Sequence, residues 1–255
     1  MKILILGGTA DGRHLAQALH KSGCNIVYSI AGLVRQPALK CEVISGGFTQ
    51  FGGLVSYLKS ESISAVLDIT HPYAQLMSIT AFKSTRDCGI PYWRFHRPSW
   101  QPESGDHWQH YEDWPALLKA LQTKKKVFLT AGQLPETALK AFENFGQQGQ
   151  KQILRTAVAP KEALPLSMDW HKAIGPFSLE HERETMKARQ VDVLVTKNSG
   201  GTSMQAKLFA ARELNIPVMM FTRPDLPTAD EEFISKSACQ NFVEHWLTIQ
   251  KQSSH

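Results

Sequence analysis

The sequence is poor in cysteine, and its cysteines lie far apart. The four are Cys24, Cys41, Cys88 and Cys239, and no two of them form a CxxC pair. Zinc sites and the disulfide frameworks of small secreted domains depend on regularly spaced cysteines, so this spacing argues against both. We expect four free thiols in a reducing cytoplasm.

The sequence also lacks a long apolar run. The first residues, Met1 to Leu4, reach glycine by Gly7, which is too short for the core of a signal peptide. No other run approaches the ~20 apolar residues of a membrane span. We therefore expect a cytoplasmic protein that does not bind a membrane.

Low-complexity tracts and internal repeats are absent as well, and the net charge is a modest +5. Such a charge suits nucleic acid, an anionic membrane surface or a polyanionic small substrate. The basic residues are scattered, however, and the densest run, Lys124-Lys125-Lys126, directly precedes an apolar strand, where a solvated loop is expected. The sequence therefore argues against a nucleic-acid partner and leaves the small anionic substrate.

Predicted strands and helices alternate along the chain, which is typical of a parallel sheet covered on both faces. The length of 255 residues suits two domains. We predict an α/β protein with two Rossmann-like parallel-sheet domains and a cleft between them: a dinucleotide-binding domain over residues 1–123 and a substrate domain over residues 124–255. The predicted strands cover residues 3–6, 25–30, 41–45, 65–69, 91–95, 127–129, 153–158, 191–195 and 217–221. The predicted helices cover residues 11–19, 54–58, 74–88, 114–122, 136–145, 179–188, 205–214 and 238–249.

A glycine turn joins the first predicted strand to the first helix. In the string GGTADGRHLA, the backbone N–H groups and the helix dipole are positioned to meet phosphate oxygens. The string departs from GxGxxG because Thr9 stands where the middle glycine would be. It is not a Walker A loop, because Arg13-His14 replace the required Lys and Ser/Thr. A plain strand-to-helix turn is the alternative interpretation.

The end of the second predicted strand bears on which nicotinamide cofactor would bind. NAD sites commonly have a carboxylate there for the ribose 2′-hydroxyl, whereas NADP sites tend to have a cation. Here the strand runs out through Ser29, Ala31 and Gly32 to Arg35 without an acid. A 2′-phosphate would accept hydrogen bonds from Ser29 and pair with Arg35. We predict NADPH, with NADH as the alternative.

Several strings, in order and spacing, resemble the precorrin-6A reductases of cobalamin biosynthesis over nearly the whole chain. The resemblance implies a two-domain Rossmann-like enzyme that transfers hydride from NAD(P)H to precorrin-6A, giving the 6B dihydro product, without a metal or flavin. Related enzymes of cobalt-early pathways take cobalt-precorrin-6A, and some are assigned NADH. The family's usual AGR motif is altered, because Leu33 follows Gly32 and the arginine arrives as Arg35. The matching strings are LILGGTADGRHLA, YSIAG, ISGGF, DITHPYA, RFHRPSW, FLTAGQ, IGPFS and KNSGGTSMQAK.

The string DITHPYA begins where a buried strand stops and a helix starts, the place where side chains project into the ligand crevice of α/β sheets. With the resemblance, this predicts Asp68, His71 and Tyr73 as catalytic residues and Thr70 as a cofactor contact. The proton donor stays open among these three, solvent and the acidic substrate. A helix cap, with Thr70 as N-cap and Pro72 in the first turn, is the alternative interpretation.

The predicted cofactor contacts combine the first glycine turn, the end of the second strand and the glycines of ISGGF, which would let backbone approach a flat ligand. As a mere turn, ISGGF needs no function. The predicted set is Gly7, Gly8, Thr9, Asp11, Gly12, Arg13, Ser29, Ala31, Gly32, Arg35, Gly46, Gly47, Phe48 and Thr70.

A precorrin carries many carboxylates, so its pocket should offer cations and polar donors around an aromatic wall. RFHRPSW and KNSGGTSMQAK suit this purpose, although a solvated surface loop and a helix cap are the respective alternatives. His107 and His110 have a helix-compatible spacing, but they lie in a short Trp-flanked segment without nearby carboxylates of ligand geometry, which argues against a metal. The predicted substrate contacts are Arg94, Arg97, Trp100, Thr130, Gly132, Lys197, Asn198, Ser199, Gly200, Gly201, Thr202 and Lys207.

Two rival functions follow from the same sequence. A short-chain dehydrogenase would need a YxxxK pair, and no tyrosine here has a lysine four residues on. An NADP-sensing regulatory module without catalysis needs only the first glycine turn, but it leaves the basic and aromatic residues of the second domain unexplained. The sequence leaves open whether the protein is a monomer or a weak dimer.

Overall fold

The computed structural model describes residues 1–31 and 38–252, which divide into two compact units. The first unit contains the described residues of 1–98 and 224–255, and the second contains Ser99–Arg223. The chain therefore leaves the first unit once and returns to it near its end.

The described residues form twelve β-strands and eight α-helices in alternation, together with a short 3-10 helix, Phe48–Phe51. None of the helices in this part of the chain is both long and apolar enough to cross a membrane. The strands are β1 (Lys2–Leu6), β2 (Ile26–Ile30), β3 (Glu42–Ser45), β4 (Ile63–Asp68), β5 (Tyr92–Phe95), β6 (Trp108–Tyr111), β7 (Lys126–Thr130), β8 (Lys151–Thr156), β9 (Met168–Lys172), β10 (Val193–Lys197), β11 (Val218–Phe221) and β12 (Glu231–Phe233). The helices are α1 (Ala10–Lys21), α2 (Leu54–Ser60), α3 (Gln75–Cys88), α4 (Trp114–Leu121), α5 (Glu136–Gln147), α6 (Leu179–Ala188), α7 (Ala206–Glu213) and α8 (Lys236–Gln252).

Each unit is built on one six-stranded parallel sheet. The first sheet has the order β12-β5-β4-β1-β2-β3, and the second has the order β6-β11-β10-β7-β8-β9. Every strand pairing in both sheets is parallel. The predicted α/β class with two Rossmann-like sheets is confirmed.

The alternating side chains of β1 show why these strands lie in the middle of the first unit. Ile3 and Ile5 pack with the apolar faces of α1 and α8, whereas Leu4 and Leu6 pack with those of α2 and α3. A strand buried on both faces reads as an uninterrupted apolar run, which is what the sequence shows here. In the second unit, Phe128 and Leu194 have the corresponding central position.

The division of the chain differs from the predicted boundary between residues 123 and 124. Strand β6 and helix α4 precede that boundary but belong to the second unit, while β12 and α8 follow it and belong to the first. The lysine run lies inside the second unit, where the N–H groups of Lys125 and Lys126 donate to the Asp192 carboxylate. The charge of the lysine run made it resemble a domain boundary in the sequence.

Three short strands were not predicted from the sequence. Strands β6, β9 and β12 lie at sheet edges, and their residues are mostly exposed or half-buried. Edge strands need no continuous apolar pattern, so their sequences resemble loops.

Candidate active site

The first glycine turn follows β1 and leads into α1. The Gly7 N–H donates to the Ser29 carbonyl (2.8 Å), which extends the pairing of β1 with β2 by one residue. Thr9 is the N-cap of α1, because its hydroxyl oxygen accepts from the Gly12 N–H (3.0 Å). Thr9, which breaks the GxGxxG pattern, therefore fixes the start of the helix.

Tyr28, on β2, lies beneath the glycine turn and was missed by sequence reasoning. Its side chain is fully buried, and its hydroxyl accepts from the Gly8 N–H (3.0 Å). A Cβ at Gly7 would lie 2.1 Å from the Tyr28 ring, and one at Gly12 would lie 3.0 Å from the Tyr28 hydroxyl. Packing from below thus excludes a side chain at Gly7 and leaves little room for one at Gly12. The only sequence signal was a tyrosine in an apolar strand.

The outer side of the turn is open and suited to phosphate. Gly8 is exposed, has a φ of +105°, and a Cβ there would meet nothing within 4 Å. The N–H groups of Ala10 and Asp11 lie in the first turn of α1, where no intrahelical carbonyl is available to them. Arg13 is exposed on the same helix. These features fit a dinucleotide pyrophosphate at the positive end of the helix dipole.

The turn lies at the switch point of the first sheet. Strand β1 lies between β2 and β4: the chain runs from β1 to β2 and β3 on one side, and after β3 it crosses back to β4 on the other side. The carboxyl ends of β1 and β4 are joined by two hydrogen bonds, from the Ile69 N–H to the Leu6 carbonyl and from the Thr9 hydroxyl to the Ile69 carbonyl, each 2.9 Å. The glycine turn and the segment after Asp68 are therefore held side by side.

Asp68 has a structural environment that differs from the predicted catalytic role. It is 2% exposed. One carboxylate oxygen accepts from the N–H and hydroxyl of Thr70 (2.9 and 2.7 Å), and the other accepts from Ser78 (2.6 Å) and Tyr92 (2.7 Å). With both oxygens engaged, the carboxylate is suited to organising the end of β4. Burial, followed by the nearby Asp68 carboxylate, raises the pKa of Tyr92.

The segment between Asp68 and α3 does not form the expected helix cap. Helix α3 begins at Gln75 with Ala74 as N-cap, without a side-chain cap bond. Thr70 donates to Asp68 instead, so the interpretation of Thr70 as N-cap is wrong. His71 and Tyr73 are half-buried neighbours: the ring centroids are 5.7 Å apart and the Tyr73 N–H donates to His71 Nδ1 (3.3 Å).

Arg97 lies beside the glycine turn. Its guanidinium is 3.5 Å from the Asp11 carboxylate, which is also 3.4 Å from the Lys236 ammonium. A small depression here is lined by Thr9, Asp11, Ile69, Thr70, Pro72, Phe95, His96 and Arg97. The structure thus brings together predicted cofactor residues, one predicted substrate residue, and His96 and Phe95, which were not predicted. All eight residues are in the first unit.

Arg94 does not line this depression, in contrast to the predicted substrate contact. It is 4% exposed and donates to Glu232 (2.8 Å), the Pro227 carbonyl (2.7 Å) and the Tyr92 hydroxyl (3.2 Å). Arg94 therefore fixes β12 to β5. The RFHRPSW string looked like an exposed basic loop because the pairing of its first residues with β12 is not visible locally.

The ISGGF segment is a turn held from within. Gly46 has a φ of +95°, and the Gln50 side-chain amide donates to the carbonyls of Ser45 and Gly47, each 3.0 Å away. The Phe48 ring packs against Tyr57, with ring centroids 5.3 Å apart. The ring of Phe48, a predicted cofactor contact, thus packs against the core, whereas Gly47 is exposed.

The end of β2 is only partly described. Ser29 is buried and Ala31 is exposed, at the carboxyl edge of the sheet. Gly32 and Arg35, which carry the NADPH prediction, lie outside the described residues.

A second glycine turn, residues 197–202 (KNSGGT), begins at the last residue of β10 in the second unit and is built around Trp100. The backbone N–H and carbonyl of Trp100 bond to the Asn198 amide (2.8 and 3.1 Å), and its indole N–H donates to the Gly201 carbonyl (2.7 Å). Trp100 is 6% exposed and Asn198 is 7% exposed. The predicted roles of these two as substrate contacts do not fit this geometry. They support the turn, in which Gly200 and Gly201 both have positive φ.

Lysine side chains lie below the second turn at the carboxyl ends of β7 and β10. Lys207 is 3% exposed and donates to the Thr130 hydroxyl (3.2 Å), with its ammonium 5.7 Å from the Trp100 ring centroid. Burial lowers the pKa of Lys207 to about 7, and burial also lowers the pKa of Lys197. A Cβ at Gly132 would lie 3.8 Å from the Lys197 ammonium. The structure brings these four predicted substrate residues together.

The remaining predicted residues of this turn border the same place. Ser199 is half-buried, Thr202 is exposed, and α7 begins at Ala206 without a side-chain cap. The helix-cap interpretation of this segment is therefore wrong. His110 lies on β6, and within residues 1–31 and 38–252 there is no group of three or more side chains suited to a metal ion.

A parallel sheet with a switch point, and a glycine turn open toward a helix N-terminus at that point, define the class: a Rossmann-type protein that holds a nucleotide cofactor. Residues 2–244 match the family model described as Precorrin-6x reductase CbiJ/CobK. The chain belongs to this family.

Individual relatives agree with the family match. The chain is 40% identical to the precorrin-6A reductase of Rhodococcus erythropolis over 235 residues, covering 90% of this chain and 92% of the relative. It is 35% identical to that of Rhodobacter capsulatus over 234 residues, covering 90% of each. A solved structure of CobK precorrin-6A reductase superposes with a TM-score of 0.84 at 33% identity, covering 95% of this chain and 96% of that one. The chain is thus a nicotinamide-dependent reductase of cobalamin biosynthesis that acts on a precorrin-6 macrocycle.

The packing of Tyr28 predicts a specific coupling with Gly7. We expect Gly7→Ala to destabilise the fold by about 1–3 kcal/mol, because its methyl group would overlap the Tyr28 ring. In the Gly7→Ala/Tyr28→Val double variant, the two effects should be less than additive. Urea denaturation of the four proteins in the cycle measures this coupling.

Gly23→Ala is the matched control, because Gly23 has a φ of +79° and a Cβ there would meet nothing within 4 Å. Its effect should add to that of Tyr28→Val. Additive effects for the Gly7 pair would contradict the proposed contact.

The buried Lys207 predicts a pH-dependent stability. Below about pH 7 the Lys207 ammonium is charged in both the folded and the unfolded state, and the whole cost of burying the charge lowers the stability. Between about pH 7 and the ordinary lysine pKa of 10.5, the unfolded chain keeps a proton that the folded chain has lost, so the stability rises with pH. We therefore expect Lys207→Met to be more stable than the parent at about pH 6, with the advantage shrinking toward about pH 9.

Urea denaturation across this pH range measures the difference. The control is Lys187→Met, because Lys187 is exposed and should give a pH-independent difference. Parallel stability curves for Lys207→Met and the parent would rule out a titrating Lys207.

Proposed function

We propose that the chain reduces metal-free precorrin-6A with NADPH bound at the first glycine turn. The observation that carries this proposal is the hydrogen-bonded juxtaposition of the phosphate-suited turn with the segment bearing His71 and Tyr73. The Thr9–Ile69 bond of 2.9 Å holds the two together at the switch point. Bound there, the reduced nicotinamide would supply a hydride to one double bond of the macrocycle.

The preference for metal-free substrate is supported by the relatives. Identity to the precorrin-6A reductases above is 35–40%, whereas identity to the cobalt-precorrin-6A reductases of Priestia megaterium and Salmonella typhimurium is 26% and 25%. The two groups differ in whether cobalt is present in the ring. The higher identity favours the substrate without cobalt.

The preference for NADPH is supported by the absence of an acid at the end of β2. Ser29 and Ala31 stand where an NAD site would place a carboxylate, and Arg35 follows Ala31 by four positions in the sequence. A guanidinium would pair with the 2′-phosphate in a charge-assisted contact. Gly47, exposed after β3, leaves backbone accessible near this edge of the sheet.

His71 and Tyr73 are the residues that we assign to proton delivery. Reduction of a conjugated double bond needs a proton beside the hydride, and both side chains are half-buried after the β4 strand end. Asp68 is left out of this assignment because four hydrogen bonds already engage its carboxylate. Its contribution is to fix the segment that carries the other two.

The second turn is the proposed site for substrate carboxylates. Lys197 ends β10, and Lys207, on α7, donates to Thr130 at the end of the adjacent strand β7. Gly132 lies beside Lys197. A carboxylate approaching these lysines would favour their charged forms and so raise their pKa values from the lowered ones found here. Binding of a polyanion would thus be coupled to proton uptake. A regulatory module without catalysis gives these lysines no purpose.

An anaerobic assay with NADPH and precorrin-6A tests the activity. We expect nicotinamide absorbance to fall with metal-free substrate and to fall more slowly with the cobalt form. His71→Asn/Tyr73→Phe should lower the single-turnover rate by about a hundredfold or more, because general acid groups commonly contribute that much. His245→Asn, an exposed change on α8, is the matched control. Cofactor binding without consumption would instead favour the sensor, and an unchanged single-turnover rate would remove both residues from proton delivery.

Cofactor choice is tested by fluorescence titration of the purified protein with NADPH and NADH. We expect tighter binding of NADPH, and Arg35→Gln should weaken NADPH binding by about tenfold while leaving NADH unchanged. Lys40→Gln removes a nearby exposed charge as a control. Equal affinities of the parent protein for the two cofactors would contradict the preference.

A further inference from the structure

A pocket of about 400 Å³ lies in the second unit, apart from both glycine turns. It is bordered by strands β7, β8 and β9 and by helix α6, and its apolar floor includes Phe128 and Ile153. Binding pockets for small molecules typically have ~300–1,000 Å³. None of the residues that we assign to cofactor, substrate or proton delivery lines it.

The rim of this pocket is mostly basic. Exposed His171, Lys172 and His181 line it together with Arg189, and one carboxylate, that of Glu184, opposes them. Arg189 pairs with Asp169 (3.1 Å), whereas Lys172 has no ion-pair partner in the described part of the chain. The rim therefore offers a cation for an anionic ligand.

The inner wall is rigid and has flat surfaces. Arg155 is 7% exposed and makes a two-bond pair with the buried Glu182 (2.9 and 2.8 Å), so its charge is already compensated. Its guanidinium lies 4.9 Å from the Phe128 ring centroid and 4.1 Å from that of Phe177. The His181 ring stacks on Phe177 with an interplanar angle of 17°. A planar apolar group fits such a wall better than a hydrated ion does.

The IGPFS string supports this wall from behind, because Phe177 does not line the pocket but contacts Arg155 and His181, which do. Phe177 belongs to the string and covers Arg155, and Ser178 caps α6 by accepting from the His181 N–H (3.2 Å). This string was among those that carry the family resemblance, yet the proposed reduction uses none of its residues. The pocket gives it a role.

We propose that this pocket binds an organic carboxylate with a flat apolar body. The apolar floor and the His181 ring take the body, and the basic rim around Lys172 takes the carboxylate. Two sources share this chemistry: a carboxylate side chain of the macrocyclic substrate together with the ring edge that bears it, and a separate small aromatic acid. The proposal concerns the pocket and stands independently of the proposed reduction.

Isothermal titration calorimetry with 1-naphthoate tests the binding chemistry. We expect saturable binding, with affinity for neutral 1-naphthylmethanol and for acetate each lower by about tenfold or more, because each probe lacks one of the two recognised parts. Ala188→Trp should abolish binding of naphthoate, because Ala188 is an exposed residue lining the pocket and the larger side chain would fill it. Lys172→Gln should weaken naphthoate binding but not naphthylmethanol binding.

Lys187→Gln is the matched control, because Lys187 is an exposed lysine that lies on α6 next to Ala188 but does not line the pocket. Circular dichroism and NADPH affinity verify that every variant is folded. Absence of naphthoate binding, or equal binding by the parent and Ala188→Trp, would overturn the proposal.

Steady-state reduction of precorrin-6A in the presence of naphthoate separates the two sources. A rise in KM for precorrin-6A that disappears in Ala188→Trp identifies the substrate's own carboxylate as the occupant. An unchanged KM, with naphthoate still binding in the calorimeter, identifies a separate acid. Both outcomes support the pocket, and the calorimetric result stands even if the protein fails to reduce precorrin-6A.

Discussion

The buried carboxylate of Asp68 accepts hydrogen bonds from three parts of the first unit: the turn after β4, Ser78 on α3 and Tyr92 on β5. Through the Tyr92 hydroxyl the network continues to Arg94 and from there to Glu232 on β12. A buried charge is tolerated only when its hydrogen-bonding capacity is met. The position of the segment bearing the candidate proton donors therefore depends on contacts reaching almost to the end of the chain.

Much of the fold was predictable because the central strands of a parallel sheet are recognisable in the sequence as short apolar runs. Apolar runs such as that of β1 and the 3.6-residue pattern of α5 identify elements without tertiary information. The edge strands β6, β9 and β12 and the return of the chain at Pro224 were not predictable in this way. Their identity is set by pairing with distant residues, and β12 is only three residues long, too short for a periodic pattern.

The candidate site was predictable by location and less so by role. The strings pointed to the carboxyl ends of the strands, which is where Thr9, His71 and Lys197 lie. They did not separate residues that face outward from those that support the turns from within. Arg94 and Trp100 are of residue types that suit ligand recognition, and only their hydrogen-bond partners in the fold reveal structural roles. Tyr28 is the opposite case: in the sequence it looks like an ordinary residue of an apolar strand, but its ring determines the shape of the glycine turn.

The interleaved division of the chain has a consequence for biosynthesis on the ribosome. All six strands of the second sheet come from one continuous segment, Ser99–Arg223, so that unit has its complete sheet once this segment has emerged. The first sheet, although it begins at residue 2, lacks its edge strand until Phe233 is available, and the apolar face that α8 covers stays open even longer. The unit that is translated first is thus completed last, and its unfinished edge and exposed apolar face are features that favour aggregation in a nascent chain.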